Sequence, residues 1–88
     1  MFEKRVIIKN KLGLHARPAA LFVQTTSKFK SAIKVFQDVQ EADGKSIMGL
    51  MMLAAGIGAE LRLVASGPDE RELVASIEEL INRKFDEE

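Results

Sequence analysis

Apolar and polar positions along the chain change period in a regular order. Phe2, Val6 and Ile8 share one face of an alternating stretch, and Glu3, Arg5 and Lys9 share the other. That predicts a strand over 2–9, ended by the polar break Asn10 to Gly13. From Ala16 the period becomes helical. Ala19, Phe22, Val23 and Thr26 fall on one face of a helix reaching about Ser27, and Phe29 extends that face. Arg17, Ala20, Leu21, Gln24 and Lys28 fall opposite, which puts Leu21 outside beside Arg17. Ile33 and Val35 mark a second strand over 31–37. A tight turn near Gln37-Asp38 leads into a short third strand, Val39 to Ala42, closed by Asp43-Gly44.

Ser46 to Leu53 reads as a short helix with Ser46 as its N-cap. Leu50 and Leu53 face inward. Ile47, Met48 and Met51 face outward as an apolar patch, and Met52 belongs to the core or its rim. Glu60 to Ser66 is a fourth strand, with Leu61, Leu63 and Ala65 against Arg62 and Val64. Gly67-Pro68-Asp69-Glu70 opens a last helix whose stripe is Leu73, Ile77, Leu80 and Ile81. Acidic residues at its start and Arg83-Lys84 near its end complement the helix dipole. The helix reads as structural, and the tail Asp86-Glu87-Glu88 is expected to fray.

The order is β-α-β-β-α-β-α. Three helices on one face of a four-stranded antiparallel sheet would bury every stripe, an α+β architecture. The 88 residues suit one domain, 1–88, and 47% hydrophobic content can supply its core. A formal net charge of zero argues against a nucleic-acid binder. Residues 1–44 carry 8 Lys+Arg against 4 Asp+Glu, and residues 45–88 carry 5 against 9. The basic first half suits an acidic partner surface, although uneven surface charge alone would look the same. With no cysteine and one histidine, disulfide and thiolate chemistry are absent and a zinc site is disfavoured. No cofactor is expected. Charged Glu3, Lys4 and Arg5 follow Met1 where a signal peptide would need an apolar run, and no stretch reaches membrane-spanning length. The expected compartment is the cytoplasm, without membrane insertion.

That single histidine, His15, lies where the first strand's loop meets the first helix, in Gly13-Leu14-His15-Ala16-Arg17-Pro18. Pro18 suits a first helical turn, whose N–H groups have no intrahelical acceptor. Those N–H groups, the positive end of the dipole and the Arg17 guanidinium form a cradle for an anion. A neutral imidazole nitrogen is a nucleophile near pH 7. The combination suits a phosphoryl group received on His15 and passed on. Read blandly, His15 is a cap or surface residue, Arg17 a solvated charge and Pro18 a helix initiator.

Gly13 to Ala20 resembles the active-site signature of the histidine-containing phosphocarrier (HPr) family of the bacterial phosphotransferase system. Lys45-Ser46-Ile47-Met48-Gly49 is a second match at the family's spacing. Length and element order agree over essentially the whole chain. The resemblance implies an open-faced two-layer β-sandwich with strand order 1-4-2-3. It further implies that His15 accepts a phosphoryl group on Nδ1 from phosphorylated Enzyme I, which took it from phosphoenolpyruvate. His15 would then pass the group to IIA domains for sugar uptake, assisted by Arg17. Such a protein is a stoichiometric carrier, not an enzyme by itself, and a monomer is the expected state.

Ser46 matches the serine modified by an HPr kinase/phosphorylase in many bacteria. A catabolite-control regulator would then be a further partner. A phosphate at that N-cap would meet helix N–H groups and place about −1.5 to −2 charges beside the apolar patch. The expected docking face is Ala16, Arg17, Ala20, Leu21, Ile47, Met48 and Met51 around His15. Two alternatives stay open: a regulatory or nitrogen-branch paralogue acting through protein contacts, and an interaction module with an inert His15. Family members lacking the histidine act only as regulators, so His15 argues against that role alone.

Overall fold

The computed structural model describes residues 1–87. Its elements are β1 (Phe2–Ile7), α1 (Ala16–Thr26), β2 (Ala32–Gln37), β3 (Gln40–Asp43), α2 (Ile47–Met52), β4 (Glu60–Ser66) and α3 (Glu70–Asn82). A single 3₁₀ turn, Lys84–Asp86, follows α3. The four strands form one antiparallel sheet in the order β1-β4-β2-β3, as the family resemblance implied.

Register places the apolar set on the covered face. Val6 pairs with Leu61, and Leu63 lies between Lys4 of β1 and Val35 of β2. Val6, Ile33, Val35, Ala42, Leu61, Leu63 and Ala65 are all buried. They meet Ala19 and Phe22 of α1, Leu50 of α2, and Leu73, Ile77, Leu80 and Ile81 of α3. Burial of these stripes supplies the main drive for folding. The opposite sheet face stays open, and on it the Arg62 guanidinium stacks 4.3 Å above the Phe36 ring.

Several elements differ from the sequence reading. β1 ends at Ile7, although Ile8 stays buried and exchanges backbone hydrogen bonds with the 58–59 loop. β2 starts at Ala32 because Ser31 is engaged with Asp69 instead. Val39 is not in a strand: Gln37 pairs with Gln40, so Asp38 and Val39 form the two-residue tip of the hairpin. Asp38 takes φ +53 there and Val39 is 97% exposed.

Leu21 is half-buried against the core, not outside. Helix α1 packs against both α2 and α3, so more of its circumference is covered than one stripe requires. Met52 is exposed, not core or rim. Two residues advance a helix by about 200°, so burial of Leu50 turns Met52 outward.

The tail corrects the sequence reading most. Asp86 closes the 3₁₀ turn and Glu87 is half-buried, where the sequence suggests a frayed tail, while Glu88 lies outside the described residues. Lys84, Phe85 and Asp86 have φ of 57, 54 and 59. This left-handed conformation costs a non-glycine residue on the order of 1–2 kcal/mol. Phe85, fully buried, offsets that cost, as do backbone bonds from Asp86 to Arg83 and from Glu87 to Lys84. Arg83 also binds Asp86 through Nε at 3.1 Å. The turn sends the chain back across the core.

Candidate functional site

The segment that carries His15 is held to the 54–59 loop. Ile8 N–H donates to the Ala59 carbonyl and Leu14 N–H to the Ala55 carbonyl, both at 2.9 Å. Leu14 and Ile8 are buried. Gly13 has φ +69, and a Cβ there would collide with the Ala55 carbonyl oxygen and come within 2.7 Å of Gly56 Cα. Only glycine satisfies both the turn and the approach. Asn10, 1% exposed, donates from Nδ2 to the Gly13 carbonyl at 2.8 Å.

His15 is the N-cap of α1, with extended backbone, and its carbonyl accepts from Ala19 N–H at 2.9 Å. Its side chain does not cap the helix. The ring instead lies 2.7 Å through Nε2 from Oε2 of Glu87, and its side chain stays 39% exposed. The other carboxylate oxygen of Glu87, Oε1, accepts from Asn10 Nδ2 at 3.1 Å. The hydrogen bond with His15, then that from Asn10, holds the Glu87 carboxyl below its ordinary value. The Arg17 charge acts in the same direction, so Arg17, though exposed, belongs to this electrostatic group.

The remaining expected residues divide. Ala16 is exposed beside His15, and Ala20 and Leu21 are half-buried. Ile47, Met48 and Met51 are exposed as expected, and Met52 joins them to line an apolar groove. Met51 also lines a shallow depression with Leu12, Leu14, His15, Ala54, Ala55 and Gly56. It therefore connects the patch on α2 to the histidine. Ser46 caps α2, accepting from Gly49 N–H at 3.0 Å.

Glu87 and Asn10 were not legible as site residues. Glu87 lies 72 residues from His15 in a tail that reads as polar, and Asn10, five residues before His15, reads only as the start of a loop. The signal that could have drawn attention was Phe85, an aromatic residue stranded beyond the last helical stripe. Among the described residues no group of three His, Cys, Asp or Glu could hold a metal ion. No described helix is long and apolar enough to cross a membrane.

Residues 2–83 match the family model described as the PTS HPr component phosphorylation site. The chain belongs to the HPr family. It is 50% identical to the phosphocarrier protein HPr of Treponema pallidum (strain Nichols), over all of both chains. It is 45% identical to the HPr-like protein Crh of Halalkalibacterium halodurans, covering 96% of this chain and all of that one. The solved structure of HPr-C-His from Thermoanaerobacter tengcongensis superposes with a TM-score of 0.95 at 52% identity, covering 100% of this chain and 99% of that one. The architecture is thus that of HPr, and residues 13–20 and 45–49 lie within the matched region.

Proposed function

We propose that the whole chain acts as one stoichiometric phosphocarrier domain of the sugar phosphotransferase system. His15 is the acceptor and donor. Its Nδ1 lone pair forms the bond to phosphorus as the donor's bond to phosphorus breaks. The first-turn N–H groups of α1 and the Arg17 guanidinium stabilise the phosphoryl oxygens. The observation that carries this reading is the placement of a half-exposed imidazole at the N-terminus of α1 within the HPr signature. Phosphorylated Enzyme I is the proposed donor and IIA domains the proposed acceptors, in the cytoplasm. A P–N bond is labile enough to hand its group on, which a serine ester is not.

The docking face is Ala16, Arg17, Ala20, Leu21, Ile47, Met48 and Met51, with Met51 touching the depression at His15. The adaptable methionines suit more than one partner. Ser46 is the regulatory site, addressed by an HPr kinase/phosphorylase and read by a catabolite-control regulator.

The experiment is intact mass after incubation with Enzyme I and phosphoenolpyruvate, beside His15→Ala. One acid-labile phosphate, absent in the variant, is expected. No added mass with a competent Enzyme I would sink the carrier reading. The second reading, a regulatory paralogue acting through protein contacts, is favoured by the identity to the HPr-like protein Crh. Ser46 phosphorylation without His15 phosphorylation would then be observed.

A further inference from the structure

The chain contains no cysteine, so its four methionines hold all of its sulfur. Met1 stands apart at the start of β1, where its amino group pairs with Glu70. The other three, Met48, Met51 and Met52, recur at i, i+3 and i+4 along α2 and so share one side of it. With Ile47 they line one apolar groove. Met48, Met51 and Met52 are 72%, 42% and 75% exposed, whereas Leu50 and Leu53 from the same stretch are buried. Met51 also lines the depression that holds Leu14 and His15. Helix α2 is anchored by Leu50 and by the Ser46 cap, neither of which contains sulfur. The three thioethers are thus open to solvent, adjoin His15 and carry little of the packing that keeps α2 in place.

We propose that Met48, Met51 and Met52 form a reversible, peroxide-sensitive modification site that turns phosphoryl transfer down when the groove is oxidised. This rests on the phosphocarrier reading and on the docking role given to that groove. The oxidant is hydrogen peroxide. A sulfur lone pair attacks one peroxide oxygen, the O–O bond breaks, and that oxygen stays on sulfur as a sulfoxide. The other oxygen leaves as water, so sulfur loses two electrons and the peroxide gains two. In the reverse step a methionine sulfoxide reductase removes the oxygen as water while two thiols close to a disulfide.

A thioether is apolar and adaptable, which fits it to a docking groove. A sulfoxide is of similar size but polar, with a strong hydrogen-bond acceptor. In the free carrier water satisfies that oxygen, because all three side chains are exposed. In a docked complex the same oxygen is buried without a donor, and that lack is costly. The penalty therefore falls on association and not on the fold. A core methionine would act in the opposite sense, since its oxidation would break the packing, but the buried core here contains none.

The test uses the full-length chain and its Met48→Leu/Met51→Leu/Met52→Leu triple variant. Leucine keeps the groove apolar at similar volume and takes up no oxygen. Each protein is treated with hydrogen peroxide, freed of it and mapped by peptide mass. Initial rates of phosphorylation by untreated Enzyme I are then measured at varied carrier concentration. Every rate is compared with that of the same protein before treatment. Wild type is expected to gain oxygen at Met1, Met48, Met51 and Met52 and to unfold at nearly its original temperature. Its KM for the carrier is expected to rise roughly tenfold with the maximal rate unchanged. Treatment with the two methionine sulfoxide reductases, one for each sulfoxide epimer, and a dithiol should restore it. The triple variant should gain oxygen at Met1 alone and show no rise in KM on treatment. If the triple variant does not fold, Met48→Leu and Met51→Leu singly should each lose part of the rise. An unchanged KM in oxidised wild type, an equal rise in the leucine variants, or loss of the fold on oxidation would each overturn the proposal. Should untreated wild type accept no phosphate, the carrier reading itself fails. Transfer slowed by Met48→Glu but not by oxidation removes the modification site alone.

Discussion

The Ser46 hydroxyl oxygen accepts the Gly49 N–H at 3.0 Å and thereby closes the first turn of α2. The same oxygen is the proposed phosphorylation site, so one atom caps a helix and receives a regulatory charge. Ser46→Ala removes the cap and is expected to lower stability by about 1 kcal/mol. Ser46→Asp keeps an acceptor at the N-cap and is expected to unfold near the wild-type temperature while slowing transfer from Enzyme I. Thermal unfolding and transfer rates on both variants separate the two roles. Wild-type transfer in Ser46→Asp would remove the charge-based account of regulation.

Met48 is 72% exposed and lines the apolar groove on α2. Met48→Glu should leave stability within about 0.5 kcal/mol, as expected for an exposed position. Phosphorylation by Enzyme I should slow roughly fivefold, the loss expected when one apolar contact worth about 1 kcal/mol is removed. Unchanged transfer would take Met48 out of the docking face.

Gly13 meets the Ala55 carbonyl at φ +69. Gly13→Ala is expected to cost about 1–3 kcal/mol and to slow phosphorylation, because the strained turn directly precedes Leu14 and His15. Denaturant unfolding and intact-mass kinetics check both effects. A variant of wild-type stability would show that the two loops can separate without cost.

Asp69 ties the start of β2 to the start of α3. Its carboxylate accepts from Ser31 Oγ at 2.5 Å and from the N–H groups of Lys30 and Ser31 at 2.9 Å. The Ser31 hydroxyl bond first, then the Lys30 N–H, lowers its pKa from the ordinary 3.8 to about 2. A carboxyl more acidic in the folded state contributes stability that is complete above pH 3.8 and lost as pH falls through about 2. Asp69→Asn is therefore expected to unfold at a lower temperature than wild type at neutral pH, by several degrees, with the gap closing below pH 4. Thermal unfolding from pH 7 to pH 2 measures it. A constant gap would assign the loss to geometry instead of charge.

Much of this molecule follows from local pattern. The alternation around Val6, Ile33, Val35, Leu61 and Leu63, and the stripe Leu73–Ile81, each fix one buried face, because side-chain direction is set by period alone. His15 and Ser46 were legible as candidates because each sits at a helix start, a position that residue type and local pattern reveal together. The sheet order 1-4-2-3 is different: periodicity says which face of a strand is apolar but not which strand lies beside it, and that came from likeness to a family.

Tertiary packing alone decided the rest. Leu21 was half-buried by neighbouring helices that its own stripe could not reveal, and Met52 was turned outward by the burial of Leu50. Glu87 reached His15, 72 residues away, only because Phe85 found space in the core and reversed the chain behind it. A contact of that separation depends on packed volume and a left-handed turn. Neither is encoded in the spacing of apolar residues, so the sequence determined the elements and the histidine at the start of α1, and the packed core determined what faces it.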